Sequence, residues 1–221
     1  SSRYAEKFTF IGGTALRILF QHSRFSEDID FDIMGILNKN EFIEMGEFIK
    51  KNLVLEGYSV DLKNTFKGAY RIYFGFRDIL FSQGLSSHKT EKLTIQVDAE
   101  PQGVSYKVEK RIINKFDVFI RINSAPAEVL LSQKIYAILK RKRPMGRDFY
   151  DAIFLFGMVK PDLHYLNIKT GISNMKELKK VLLNRCKGLD FRELARDVKP
   201  YLLNIEEANK ILLFYDYIHS L

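Results

Sequence analysis

The stretch Ser26-Glu27-Asp28-Ile29-Asp30-Phe31-Asp32 sets an acid at every second position from Asp28. Successive side chains of a β-strand point to opposite faces, so Asp28, Asp30 and Asp32 would share one face while Ile29, Phe31 and Ile33 share the other. Three carboxylates so spaced repel one another, and a cation or basic group among them relieves the crowding. Residues 95–100 repeat the arrangement, with Ile95, Val97 and Ala99 on one side and Gln96, Asp98 and Glu100 on the other. Were the two strands neighbours, Asp28, Asp30 and Asp98 could converge on one or two hard cations. Oxygen-only donors favour magnesium or manganese over zinc. An ordinary solvent-facing sheet surface alternates in the same way, so the surrounding residues have to decide.

They favour the cation. Phe8 to Ile11 is a short β-prone run ended by Gly12-Gly13, and Thr14 is the expected N-cap of the apolar helical run Ala15 to Phe20. Strand, diglycine, helix start and carboxylate strand, in that order, supply both halves of a nucleotide site. Glycines let backbone N–H groups approach phosphate at a helix N-terminus, and aspartates hold the metal that bridges the phosphates. A diglycine or an Asp-x-Asp pair alone would mean little; their order and separation carry the reading. Farther along, Lys134 falls on a helical segment, where a lysine can neutralise triphosphate charge. Asp148 and Asp151, within Arg147-Asp148-Phe149-Tyr150-Asp151, share a helix face at i, i+3. Helix capping would account for one of that pair equally well.

The elements that must hold these residues follow from composition and pattern. The 221 residues are 46% hydrophobic and 28% charged, with a formal net charge of +8. Those values describe a globular chain and exclude a disordered tail, a coiled coil or a collagen-like repeat. The longest uncharged apolar run, Ala152 to Val159, is far short of the roughly 20 residues that cross a bilayer. No basic-then-apolar leader opens the chain, which begins at Ser1, so a cytoplasmic location without membrane insertion is expected. The single cysteine, Cys186, can form neither an internal disulfide nor a cysteine-based zinc site, which suits a reducing compartment. Residues 101–160 hold 12 basic and 5 acidic side chains, whereas residues 1–100 hold 13 and 14. The densest group, Lys140-Arg141-Lys142-Arg143 with Arg147 nearby, suits a polyanion such as an RNA backbone, or else a solvated helix face.

Alternating runs predict strands at 29–34, 58–62, 70–76, 93–99 and 112–122, the last with a break at Asn114-Lys115, and a helix over 40–52. After Asn123-Ser124-Ala125-Pro126 only helical spacing remains, near 127–142, 147–158, 174–186, 190–198 and 205–219, with Asp190 as an N-cap. The expectation is an α+β fold: a nucleotide-handling α/β domain with a mixed sheet at 1–122, then a helical domain at 123–221 that completes the site. His22, His88, His164 and His219 lack ligand spacing and read as core or surface residues. Tyr70, Tyr73, Phe74 and Phe76 read as sheet packing rather than a base-stacking platform.

Four segments carry a resemblance: Phe10-Ile11-Gly12-Gly13-Thr14-Ala15-Leu16, Ser26-Glu27-Asp28-Ile29-Asp30-Phe31, Lys134-x-x-Ala137 and Arg147-Asp148-x-x-Asp151. Together they resemble the nucleotidyltransferase toxins of the AbiEii/AbiGii family, in the DNA polymerase β-like nucleotidyltransferase superfamily. The resemblance implies a polymerase β-like core with a helical C-terminal domain, and a toxin of bacterial or phage-related origin restrained by a cognate antitoxin. It also implies transfer of NMP from an NTP to an RNA acceptor, the tRNA 3′ end, with loss of pyrophosphate. Carried over motif by motif, Gly12, Gly13, Thr14 and Ser26 would hold the triphosphate, and Asp28 and Asp30 would hold Mg2+ or Mn2+. Lys134 would contact the nucleotide, and Asp148 and Asp151 would fill the fourth motif, the first catalytic and the second on the nucleotide. The RNA would lie on Lys140, Arg141, Lys142, Arg143 and Arg147. No motif fixes a third acidic ligand; Asp98 is preferred to Asp32 because Asp32 lies roughly 6–7 Å beyond Asp30 on its own strand. Two other readings stay open: the same chemistry on a protein or small-molecule acceptor, and a nucleotide-binding module without turnover.

Overall fold

Phe8–Ile11 (β1) is buried at all four positions, the polar Thr9 included. In the computed structural model, which describes residues 4–221, it is followed by Gly12–Phe20 (α1), Asp28–Ile33 (β2) and Lys39–Leu55 (α2). Next come Val60–Thr65 (β3), Tyr70–Phe76 (β4), Ile79–Ser82 (α3), Leu93–Glu100 (β5), Glu109–Lys115 (β6) and Val118–Ser124 (β7). These strands build one mixed sheet in the order β3-β4-β5-β2-β1-β7-β6. β2 runs antiparallel to β1 and parallel to β5, and β1 is parallel to β7. The remaining helices are Ala127–Lys140 (α4), Gly146–Phe156 (α5), Leu163–Thr170 (α6), Met175–Cys186 (α7), Phe191–Val198 (α8) and Phe214–Ser220 (α9), with a 3-10 stretch at Ile205–Leu213.

The chain divides into two compact units. One holds the segment through Ala15 together with Glu27–Gly103 and Lys110–Ser124; the other holds Leu16–Ser26, Val104–Glu109 and Ala125–Leu221. In the first, α2 is anchored by a capping box at Asn38 and Glu41 and packs Phe42 and Met45 on one face of the sheet, against Phe8, Ile33, Ile72, Phe74 and Val97. Ile29 and Phe31 join that core. The alternation of β2 thus sends its apolar residues to the core and its aspartates to the opposite face. In the second unit the core comes from Leu131, Ile135, Leu155, Leu182, Val198 and Ile211, with Phe149 edge-on to Phe214 at 5.0 Å. Gly146 lets α5 meet α8 backbone to backbone, since a Cβ there would overlap the Leu194 carbonyl oxygen. Its N–H also donates to Asp197 Oδ2 at 2.8 Å.

Several local expectations shift. Thr14 is not an N-cap: the helix already starts at Gly12, and the Thr14 hydroxyl donates to the Asp28 carbonyl oxygen instead. The break expected at Asn114-Lys115 falls at Phe116-Asp117, a two-residue hairpin loop with φ of 54° and 58°. That left-handed pair is what a tight hairpin between right-twisted strands demands. The stretch at 205–219 is a 3-10 segment followed by α9, and α6 had no sufficiently periodic pattern to announce it. Asp190 does cap α8, accepting from the N–H groups of Arg192 and Glu193 at 2.8 and 3.1 Å.

Candidate active site

In the first unit the site is built at the end of β1. Ile11 lies opposite Asp30 on β2, and Asp30 lies opposite Asp98 on β5. Asp28 and Asp32 have Gln96 and Glu100 as their partners on β5. Adjacent strands lie ~4.8 Å apart, so the paired Asp30 and Asp98 share one face at ladder spacing. The chain leaves β1 through Gly12, whose φ of +78° is open to glycine at little cost. Any Cβ there would overlap Asp30 Oδ2, so the Asp30 carboxylate rests against bare glycine backbone. With Thr14 tied to the Asp28 carbonyl, the diglycine bend is seated on β2 at both aspartates.

Asp32 is buried and accepts from the Gln102 backbone N–H at 2.9 Å, which commits it to holding the loop after β5. The Asp98 carboxylate accepts from Arg71 Nε at 3.0 and 3.1 Å and from Gln96 Nε2 at 3.0 Å. The hydrogen bond from Arg71 to Asp98 raises the guanidinium pKa above its ordinary value. Among the described residues no group of three or more His, Cys, Asp or Glu side chains is arranged to hold a metal ion. The half-buried pair Asp28 and Asp30 nevertheless fits a hard cation that takes its remaining ligands from water and substrate phosphate, which is how magnesium is usually held.

The second unit gathers the other motif residues. Lys134 on α4 reaches Asp151 Oδ2 at 2.9 Å and Asp148 Oδ1 at 3.6 Å, both on α5. Arg24 forks onto Asp151, with Nη2 at 2.6 Å from Oδ2 and Nε on Oδ1. His22 Nε2 lies 3.1 Å from the same Oδ1, its ring stacked between Tyr150 and Phe154. Asp151 is 0% exposed and Arg24 2%. Burial alone would raise the Asp151 carboxyl pKa, but the Lys134 charge and the Arg24 and His22 hydrogen bonds hold it well below the usual carboxylate range. Burial likewise works against the Arg24 charge, and Asp151 overturns it. Arg141 Nε sits 2.9 Å from Asp148 Oδ2 without hydrogen-bond alignment. Burial and the Glu207 carboxylate push the Tyr150 hydroxyl pKa up to about 12.

Among the expected site residues, Gly12, Gly13, Thr14, Asp28, Asp30 and Asp98 belong to the first unit, and Ser26, Lys134, Asp148 and Asp151 to the second. Lys140 ends α4, and Lys140, Arg141, Lys142 and Arg143 are exposed there and in the loop before α5; Arg147 is half-buried in the first turn of α5. Sequence reasoning missed Arg24 and treated His22 only as a core or surface residue. Their partner lies 127 and 129 residues away, so no local pattern marks them. The one available signal was an arginine and a histidine in the short connection between the diglycine helix and the carboxylate strand.

A diglycine bend seated on an Asp-x-Asp strand of a mixed sheet is the arrangement of a nucleotidyltransferase, and the comparisons agree. The crystal structure of JHP933 from Helicobacter pylori superposes with a TM-score of 0.56 at 18% identity, covering 98% of this chain and 86% of that one. A second H. pylori structure, described as a candidate nucleotidyltransferase, gives 0.54 at 18% identity over 98% and 88% of the two chains. No curated protein matches. The family described as "Nucleotidyl transferase AbiEii toxin, Type IV TA system" matches residues 1–208. The chain belongs to the AbiEii family of nucleotidyltransferase toxins, whose toxin–antitoxin setting implies an antitoxin partner. No helix among the described residues is long and apolar enough to cross a membrane.

Proposed function

We propose that this chain transfers NMP from an NTP to a hydroxyl of an RNA acceptor, the 3′ end of tRNA, in the cytoplasm, and that the modified RNA can no longer support translation. The observation that carries this reading is the Gly12 backbone pressed against Asp30 while Thr14 holds the Asp28 carbonyl. That contact puts a phosphate-accepting helix start directly beside two carboxylates. Gly12, Gly13, Thr14 and Ser26 hold the triphosphate. Asp28 and Asp30 would hold Mg2+ or Mn2+, and Asp98, in register with Asp30, would join as a third donor only by giving up its bonds to Arg71 and Gln96. Bound there, such an ion would supply charge neutralisation at the phosphates.

The remaining roles rest on this chain's own groups. The acceptor oxygen attacks the α-phosphorus, its bond to the bridging oxygen breaks, and pyrophosphate leaves. The resemblance assigns Lys134 to the nucleotide, where a fixed ammonium stabilises negative charge. Asp148 and Asp151 act through Lys134: their carboxylates, 3.6 and 2.9 Å from its Nζ, fix where the ammonium points. Lys140, Arg141, Lys142, Arg143 and Arg147 hold RNA backbone as cations of low sequence preference. The test is incubation with labelled NTPs, Mg2+ or Mn2+ and total RNA, with protein and small-molecule acceptors in parallel. Label should enter RNA, and Asp28→Ala and Asp30→Ala should stop it. Absence of transfer under every nucleotide and metal condition would refute the proposal, and label entering protein alone would move it to the other acceptor class.

A further inference from the structure

The β6–β7 hairpin exposes Ile112 (56%), Phe116 (83%), Phe119 (72%) and Ile120 (49%), large apolar side chains in a segment with four basic residues, Lys110, Arg111, Lys115 and Arg121, against two acids, Glu109 and Asp117. Its faces can be assigned. Phe10 lies opposite Phe31 and also opposite Ser124, and paired residues share a face, so the even-numbered residues of β7 lie on the α2 side. Phe119 and Arg121 therefore lie on the opposite face, the one that carries Asp28 and Asp30. A two-residue loop sets Lys115 across from Val118, and alternation then brings Lys110, Ile112 and Asn114 onto that same face. Each of these five residues is exposed. The loop itself takes Phe116 at a left-handed position that Asn or Gly normally fills.

We propose that this face of the hairpin, Lys110, Ile112, Phe119 and Arg121 with Phe116 at the tip, docks the unpaired strand of the RNA acceptor. The inference rests on the nucleotidyltransferase reading above for the identity of that RNA. Exposed aromatic rings interleaved with cations are the chemistry of single-strand binding: bases stack on the rings and the cations follow the phosphates. The positive balance of the arm selects a polyanion and opposes pairing with a second copy of itself. Phe119 lies five residues upstream of Ser124, which places it roughly 20 Å along the sheet from the level of Asp30 at 3.3 Å per residue. A strand stacked on Phe119 can thus run along one sheet face toward the carboxylates, its 3′ hydroxyl forward.

The experiment is fluorescence anisotropy of a labelled single-stranded oligoribonucleotide against the full chain over a range of salt. Phe119→Ala should weaken binding about tenfold or more, and Phe119→Tyr should restore it, while Phe119→Leu, apolar but unable to stack, should not. Arg121→Ala should reduce the slope of log affinity against log salt by about 0.7. Unchanged affinity and slope in these variants overturn the proposal; if the arm instead binds an acidic protein partner, it is a protein-docking surface. NTP transfer is read separately. A chain that transfers nucleotide to RNA with hairpin-independent affinity refutes the hairpin and keeps the reaction, and hairpin-dependent RNA binding without any transfer does the reverse.

Discussion

Asp30 and Asp151 are both motif aspartates, yet the molecule treats them in opposite ways. Asp30 is half-buried on a sheet face, with its carboxylate laid on glycine backbone where a side chain would not fit. Asp151 is wholly buried and is contacted by an arginine fork, a histidine and a lysine. A carboxylate saturated with fixed donors is an anchor, and its function passes through the groups it holds. A carboxylate reached by solvent beside a helix start is placed to take a ligand. Residue type and motif membership do not distinguish the two; burial does.

The comparison can be broken most forcefully at Asp151. Asp151→Ala would leave the Arg24 guanidinium buried without its counter-charge, at a cost of about 3–5 kcal/mol, read from urea unfolding at neutral pH. Acidification tests the same anchor. The native carboxyl titrates far below the ~3.9 of an unfolded aspartate, so the unfolded state takes up the proton first as pH falls. The stability Asp151 supplies is therefore complete at neutral pH and drains away below about pH 4, and Asp151→Asn should flatten that acid limb. An unaltered limb would mean that Asp151 is no anchor.

Asp30→Ala should show the opposite profile: transfer activity lower by roughly 10²–10³-fold, as for loss of one preorganised charged group, with unfolding shifted by less than about 1 kcal/mol. Equal losses of fold and activity in both variants would erase the distinction. Gly12→Ala should come next, costing about 1–2 kcal/mol for the left-handed backbone and displacing the Asp30 carboxylate, so activity falls with the stability. The smallest effect is expected for Tyr150→Phe. That variant removes the hydroxyl bonds to Ser23 and Glu207 at about 0.5–1.5 kcal/mol, measured as a shift in denaturation midpoint.

Much of the first unit was legible because its signals are local. The period-2 acids of β2 name their own face and β5 alternates in the same sense, but that the two strands are neighbours is seen only in the folded sheet. The glycines announce a bend, although not that Asp30 is what forbids a side chain there. The Thr14 hydroxyl was assigned to the wrong backbone group because helix-capping statistics know nothing of a carbonyl 14 residues away. In the second unit the lysine and the acid pair were visible, but the other partners that surround Asp151 were not. Arg24 and His22 stand in an unpatterned connection, and only the folded chain brings them to α5. The 3-10 stretch at Ile205–Leu213 mimics an α-helix in its spacing and differs only in the tightness of its turns.

The path of the chain has a practical consequence. Leu16–Ser26 is built into the same unit as Ala125–Leu221, although most of the sheet lies between them in sequence. A fragment cut just after the sheet would carry away the Arg24 guanidinium, and the leftover helical piece would begin life with the buried Asp151 held by Lys134 alone. Dissecting this toxin into halves by simple truncation should therefore yield two insoluble products, whereas a rearranged chain that splices Leu16–Ser26 onto the helical part would have the missing counter-ion restored.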